Sequence, residues 1–417
     1  MTLKQIFFFI VAFICSSGLL LGQITIKGTL KNEEGNPLEG ATVFFNNTSL
    51  GTTTNKNGQF ELAIPVESGT YNLVISFVGY ETFKQQLVFP ILQLEPLTVT
   101  LLPRPGKLPN VIVKPHEKGD WNTWGKLFSD LFLGIMPESG GCKMLNYNSL
   151  EFKYYSKGDI LEVTARKPLI IINKALGYQI DYILEAFEYS GISQKVHFVG
   201  YSKFTELKPN NLKVQNNWED ARKRVYYGSQ MHFMRALFAN RLQQEGFLVK
   251  REKRVPEPLE KHNPDEAATT LKDLIPNGSS DFSGNKLIAT LPENIRPLQE
   301  DNYSLKTIAL LKNDVQITAD SLVIPQNEWQ KLLYFPDLIN VTYTGGFAEK
   351  SYLNLLGVNP KEKIKPASWL EIVEGKTIIV EASGAYFSPT DIFSFGYWAW
   401  RERMATMLPI DYLPPSK

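Results

Sequence analysis

No stretch between Gln23 and Leu102 carries a helical period. Apolar and polar residues alternate there in short runs divided by turn residues, which commits this part of the chain to β-structure. Ile24, Ile26 and Gly28 alternate with Thr25, Lys27 and Thr29, and the run ends at the turn Asn32 to Pro37. Ala41 to Phe45 follows, then Thr52 to Thr54, then the turn Asn55 to Gly58. Asn57-Gly58 is a strong short-range turn signal because both residues tolerate positive φ. Phe60, Leu62 and Ile64 share a face, Pro65 ends their strand, and Tyr71, Leu73, Ile75 and Phe77 form the next before Gly79-Tyr80. Val99 and Leu101 mark a closing strand. Six or seven short antiparallel strands predict a small β-sandwich.

Ahead of it, Lys4 and the apolar run Ile6 to Cys15 lead to Leu19-Leu20-Leu21-Gly22, the pattern of a secretory signal peptide over 1–22 with cleavage after Gly22. Ser16, Ser17 and Gly18 interrupt the run below the roughly 20 residues of a spanning helix, so no transmembrane segment is expected after cleavage. Lipidation at Cys15 lacks the small preceding residue, since Ile14 stands there. Cleavage leaves Cys142 as the one cysteine, with no internal disulfide. The 44 Lys and Arg against 43 Asp and Glu become balanced once Lys4 is lost, and a neutral chain has no overall field with which to hold nucleic acid.

The order Gly28-Thr29-Leu30, Gly35-Asn36-Pro37-Leu38, Gly40-Ala41-Thr42-Val43, Thr54-Asn55, Gly58-Gln59-Phe60, Gly69-Thr70-Tyr71 and Val78-Gly79-Tyr80 resembles the carboxypeptidase regulatory-like domain over residues 24–102. That resemblance implies a transthyretin-like, Ig-like β-sandwich of the kind that opens envelope proteins of the Bacteroidota, where it is a non-catalytic accessory. It carries no peptidase activity. His116, His197, His232 and His262 lack a second His at ligand spacing and no HExxH occurs, so neither a metal site nor metallocarboxypeptidase activity is expected. Neither GxGxxG nor GxxxxGK[ST] is present, and no cofactor is expected.

Three prolines between Leu102 and Pro109 make a stiff linker over 103–115. The following Asn110-Val111-Ile112-Val113-Lys114 resembles the stretch that leads to plug and barrel in TonB-dependent receptors, but roughly 300 residues remain, too few for a plug and about 22 strands. Residues 116–417 are expected to form a larger α+β domain with an antiparallel sheet and two main helices. Asp120 caps a helix over 121–133. Leu150 to Tyr155, Ile160 to Ala165, Leu169 to Ile172, Gln179 to Tyr189 and Lys195 to Phe204 read as a meander, and Asn217 to Gln244 as one long helix stopped by Gly246. A strand begins at Phe247, residues 255–301 are mostly loop, and strands recur near Val315 to Thr318, Ile339 to Thr344 and Thr377 to Ala382. Cys142 to Asn146, Leu176 to Ile180, Tyr227 to Leu237 and Gly396 to Trp400 resemble the C-terminal region of envelope proteins that start with the same sandwich.

Candidate residues are few. Ser229, His232 and Arg235 fall at i, i+3 and i+6, but no carboxylate lies on that stripe and there is no GxSxG elbow. Cys142 after Gly140-Gly141 is a candidate nucleophile with the bland alternative of a small buried hydrophobe. Tyr397, Trp398, Trp400 and Arg401 offer a stacking surface for sugars or a partner protein, against core packing as the default. The basic run Lys250 to Arg254 reads as a solvated strand end. The expectation is an exported protein, periplasmic or associated with the outer membrane, with a non-enzymatic binding or scaffold role and an envelope protein or glycan as partner. Binding candidates are Tyr397, Trp398, Trp400, Arg401, His232 and Arg235. The alternative is a hydrolase acting on cell-wall or glycan material through His232 or Cys142.

Overall fold

A computed structural model describes residues 24–64, 68–89, 95–104, 117–156, 158–192, 195–256 and 308–415. The expected signal peptide, the linker from Pro105 onwards and the loop region from Glu257 to Asp301 lie outside these residues. The chain divides into two compact units. One holds the described residues up to Phe45 and from Leu50 to Arg104; the other holds Asn46–Ser49 and the described residues from Glu117 onwards.

The first unit contains Ile24–Lys31 (β1), Thr42–Phe45 (β2), Gly51–Thr53 (β3), Gln59–Ile64 (β4), Gly69–Ser76 (β5), Phe83–Phe89 (β6) and Leu97–Thr100 (β7). They form two sheets, β4-β1-β7 and β3-β2-β5-β6. Ile26, Leu30, Val43, Phe45, Leu73 and Ile75 are fully buried in the core of this sandwich. The turn before β4 forms as its sequence demands: the Asn55 side-chain oxygen accepts from the N–H groups of Asn57 and Gln59 at 2.9 and 3.0 Å. One expectation fails, since the strands are not all antiparallel: β7 runs parallel to β1, Gly28 beside Leu97 and Lys31 beside Thr100. β1 and β7 lie far apart in sequence, with β2 to β6 between them, so no tight hairpin imposes an antiparallel pairing on them.

The second unit opens with Glu117–Gly119 (β8) and helix Trp121–Phe132 (α1). Asp120 caps α1 by accepting from the Thr123 N–H at 2.9 Å, and Phe128, Leu131 and Phe132 are buried on one side. Cys142–Met144 (β9), Leu150–Tyr155 (β10), Ile160–Ala165 (β11), Leu169–Asn173 (β12), Tyr178–Ser190 (β13) and Lys195–Glu206 (β14) complete a seven-stranded antiparallel sheet. Its order is not the expected meander. The thirteen-residue β13 takes β14 along one edge, while β12 and β11 share the other, β12 against Tyr178–Tyr182 and β11 against Glu188–Ser190.

The single helix expected over Asn217 to Gln244 is two, Leu212–Tyr226 (α2) and Gln230–Phe238 (α3). Gly228 sits between them at φ +83°, and a Cβ there would lie 2.6 Å from the Tyr343 ring. Ser229 then restarts the helix, its Oγ accepting from the His232 N–H at 3.1 Å. The apolar positions on both sides keep a helical period, so the break is invisible to periodicity.

Beyond α3 come Phe247–Pro256 (β15), Ile308–Gln316 (β16), Val323–Pro325 (β17), Gln330–Leu333 (β18), Leu338–Tyr343 (β19), helix Lys350–Leu355 (α4), Ala367–Ile372 (β20), Ile378–Glu381 (β21), Tyr386–Phe387 (β22), Ile392–Gly396 (β23) and helix Tyr397–Arg401 (α5). They build two further antiparallel sheets, β16-β15-β19-β20-β23 and β17-β18-β21-β22. A second core gathers Phe233, Leu237, Phe247, Ile339, Leu370, Val380 and Trp398. The protein is thus mostly β, with multiple antiparallel sheets and few helices. No helix among the described residues is long and apolar enough to cross a membrane.

Candidate functional site

The stacking surface expected at Tyr397, Trp398, Trp400 and Arg401 does not form, because all four side chains are buried. Trp398 packs on Phe233 at 5.3 Å between ring centroids and donates its indole N–H to the Gly228 carbonyl at 2.8 Å. Tyr397 and Trp400 close a ring trio with Tyr352, at 5.1 to 5.6 Å. Arg401 lies between two carboxylates, Glu138 at 3.0 Å and Glu349 at 3.1 Å. Burial pulls its guanidinium down, but Glu349 and Glu138 outweigh that and hold it above its ordinary range. Burial pushes the Glu349 carboxyl up, against the opposing pull of Arg401.

His232 is also interior, 3% exposed. Its Nδ1 accepts from the Gly228 N–H at 3.1 Å, so in the neutral ring Nε2 carries the proton and faces Glu245 Oε2 at 3.3 Å. Phe247, Tyr226, Tyr227 and Tyr343 surround the imidazole at 4.9 to 5.9 Å. In the stripe of Ser229, His232 and Arg235, Ser229 is a helix cap whose hydroxyl accepts from the His232 backbone N–H. Arg235 spends its guanidinium on three carbonyls, Ser383 at 2.7 Å, Ile410 at 2.8 Å and Tyr412 at 2.9 Å. These hydrogen bonds tie distant segments together. They leave no fork facing a ligand.

Cys142 is half-buried at the start of β9. Burial, with the Glu138 charge beside it, pushes its thiol up to about 12. Native protein at pH 8 is therefore expected to react with iodoacetamide on the order of a thousandfold more slowly than urea-unfolded protein. Equal rates would remove this account of Cys142. Within the basic run Lys250 to Arg254, Arg251 pairs with Asp337 at 2.8 Å and Glu252 turns inward to accept from the Trp369 indole at 2.7 Å. Among the described residues no three His, Cys, Asp or Glu side chains converge as metal ligands.

Two clefts in the second unit were not foreseen. One, of about 300 Å³, has Tyr178, Glu206, Arg222, Asp411 and Tyr412 in its wall. Its cation is already engaged: Arg222 donates to Glu206 at 2.8 Å and to the Leu176 carbonyl at 2.8 Å. The other, of about 390 Å³, lies between Pro137-Glu138, the turn at Lys174 and the α2 face carrying Asn217, Trp218 and Arg224. A polar helix with one tryptophan, Trp218, seven residues after its cap Asn211, is the only sequence trace of this cleft. Its other walls come from segments some 40 and 80 residues away, which a one-dimensional pattern does not connect.

Comparison with known proteins bears mainly on the first unit. The chain is 41% identical over 59 residues to the TonB-dependent receptor SusC of Bacteroides thetaiotaomicron, a match spanning 14% of this chain and 6% of that receptor. A putative membrane-associated protein of unknown function from Bacteroides fragilis aligns over 90% of this chain and 95% of its own, at 11% identity and a TM-score of 0.17, too low to equate the two folds. A family profile, the CarboxypepD_reg-like domain, matches residues 26–113, the region of the sandwich.

Proposed function

We propose that this is an exported, envelope-associated binding or scaffold protein, its sandwich an accessory and its second unit the part that holds a ligand or partner. The observation that carries the reading is the state of the reactive side chains. His232, Arg235, Arg401 and Cys142 are buried or committed to internal bonds, while the cleft at Trp218 is open and lined by polar and charged groups. The CarboxypepD_reg-like domain and the short likeness to SusC support an envelope location, in the periplasm or at the outer membrane.

The second reading is a hydrolase of cell-wall or glycan material. The His232 to Glu245 contact favours it, and the engagement of Ser229 as a helix cap counts against it. Fractionated cells and purified mature protein separate the two. The binding reading expects recovery in the envelope fraction, capture of a defined envelope component, and no turnover of peptidoglycan or glycan. Turnover that disappears in His232→Ala but survives in Trp218→Ala would replace it with the hydrolase, and recovery confined to the cytoplasmic fraction would remove both.

A further inference from the structure

We propose that the cleft between α2 and the Lys174 turn is a binding site for an anionic saccharide, with Trp218 under the sugar ring and Lys174 and Arg224 on its carboxylate or phosphate. This deepens the binding-module reading and rests on it.

The site is built from below. Asn173 is fully buried, and its side chain fixes the turn between β12 and β13: Oδ1 accepts from Ala175 and Leu176 N–H at 3.1 and 3.0 Å, and Nδ2 donates to the Ala405 carbonyl at 2.9 Å. That holds the Lys174 carbonyl in place, and the Trp218 indole N–H donates to it at 2.8 Å. The Trp218 ring lies so close over Gly177 that a Cβ there would come within 2.3 Å of it. Arg222, one turn along α2, binds the Leu176 carbonyl at 2.8 Å and locks the same helix to the same turn. The tryptophan is therefore oriented before any ligand arrives, which removes much of the ordering cost of binding.

The charges of the cleft are unequal. Its acid, Glu138, is engaged by Arg401 at 3.0 Å. Its two cations, Lys174 and Arg224, are exposed and make no ion pair within 4 Å among the described residues. An open space of about 390 Å³ then presents one aromatic ring, the Asn217 amide and two cations. A sugar ring stacks its C–H face on indole and offers hydroxyls to an amide, while a guanidinium fork fits a carboxylate or phosphate. Arg224 also acts on the half-buried Glu349 carboxyl, but its exposed end and that of Lys174 face the cleft, so an uncharged sugar leaves both cations unused and a bare anion leaves the ring unused.

Titration calorimetry on the full mature chain tests this with tri-galacturonate, its methyl ester, glucose 6-phosphate, inorganic phosphate and AMP. The expected result is binding of tri-galacturonate or glucose 6-phosphate, whichever bears the better-fitting anion, that weakens with salt and falls about tenfold in Lys174→Gln or Arg224→Gln and about thirtyfold in Trp218→Ala. Both cations are exposed, so the glutamine variants report on binding even where Trp218→Ala loses stability. Equal binding of the methyl ester would overturn the anionic part, and equal binding of inorganic phosphate would overturn the sugar part. Tighter binding of AMP would make the occupant a nucleotide and overturn the proposal. No saccharide binding, with an envelope component still captured, would sink this site assignment alone; no captured component at all would sink the wider reading.

Discussion

Trp398→Ala is expected to cost about 4 kcal/mol of stability, the scale measured for deleting a buried tryptophan side chain. Trp398 is 2% exposed and its contacts join three separate pieces of the second unit. Its ring packs on Phe233 of α3, its indole N–H satisfies the Gly228 carbonyl, and its backbone N–H reaches the Ser368 hydroxyl of β20 at 3.1 Å. The carbonyl matters as much as the cavity, because Gly228 stands where α2 and α3 part and no helical partner is available to it. Trp398→Phe keeps an aromatic ring but leaves that carbonyl without its donor, and should fall roughly 2 kcal/mol below the parent. Urea denaturation of the mature protein gives both numbers. An alanine variant within about 1 kcal/mol of the parent would mean that Trp398 is a bystander to the helix break.

Arg401→Met should be comparably damaging, at about 3 to 5 kcal/mol, because it strands two carboxylates without their cation. Its signature is a pH dependence. With the guanidinium gone, burial and the Glu138 charge act on Glu349 against only the Tyr397 hydrogen bond and the Arg224 charge, so the folded-state pKa of that carboxyl rises further above its unfolded value. A carboxyl shifted in that direction favours the fold below the unfolded pKa and weakens it as the pH rises through the folded pKa. The deficit of Arg401→Met is therefore expected to be largest at neutral pH and to narrow on mild acidification, read as melting temperature against pH for variant and parent. Adding Glu138→Gln and Glu349→Gln to Arg401→Met should recover much of the loss. A deficit that does not change with pH would contradict the charge account and point to packing alone.

Where one face of an element meets a core, the sequence carried the structure. Residues Ile24 to Phe77 alternate, and the strands stand where the alternation is; Asp120 precedes an apolar helical stripe, and α1 starts there. Pairing was another matter. Alternation states which face of β11, β12 and β13 is buried but not which edge meets which, so the sharing of one β13 edge was not readable. Gly228 was in plain sight, yet a glycine within a helical period is ordinarily tolerated, and only the contact with Tyr343 and the bond from Trp398 make it a break. The cluster Tyr397 to Trp400 reads equally well as core or surface in one dimension; its burial follows from partners such as Phe233 and Tyr352, far away in sequence. The cleft at Trp218 was unreadable for the same reason, since Glu138 and Lys174 come from segments remote from the helix that carries Trp218 and Arg224.

The Arg401, Asn173 and Trp398 bonds also set the order of events when this unit folds. They join positions separated by 263, 232 and 170 residues, so each closes a very large loop before it contributes anything. A ribosome releasing the chain from its N-terminus must deliver residues as far as Trp398 to Ala405 before these contacts can close. Contacts of such long range place the unit toward the slow end of the folding range for its size.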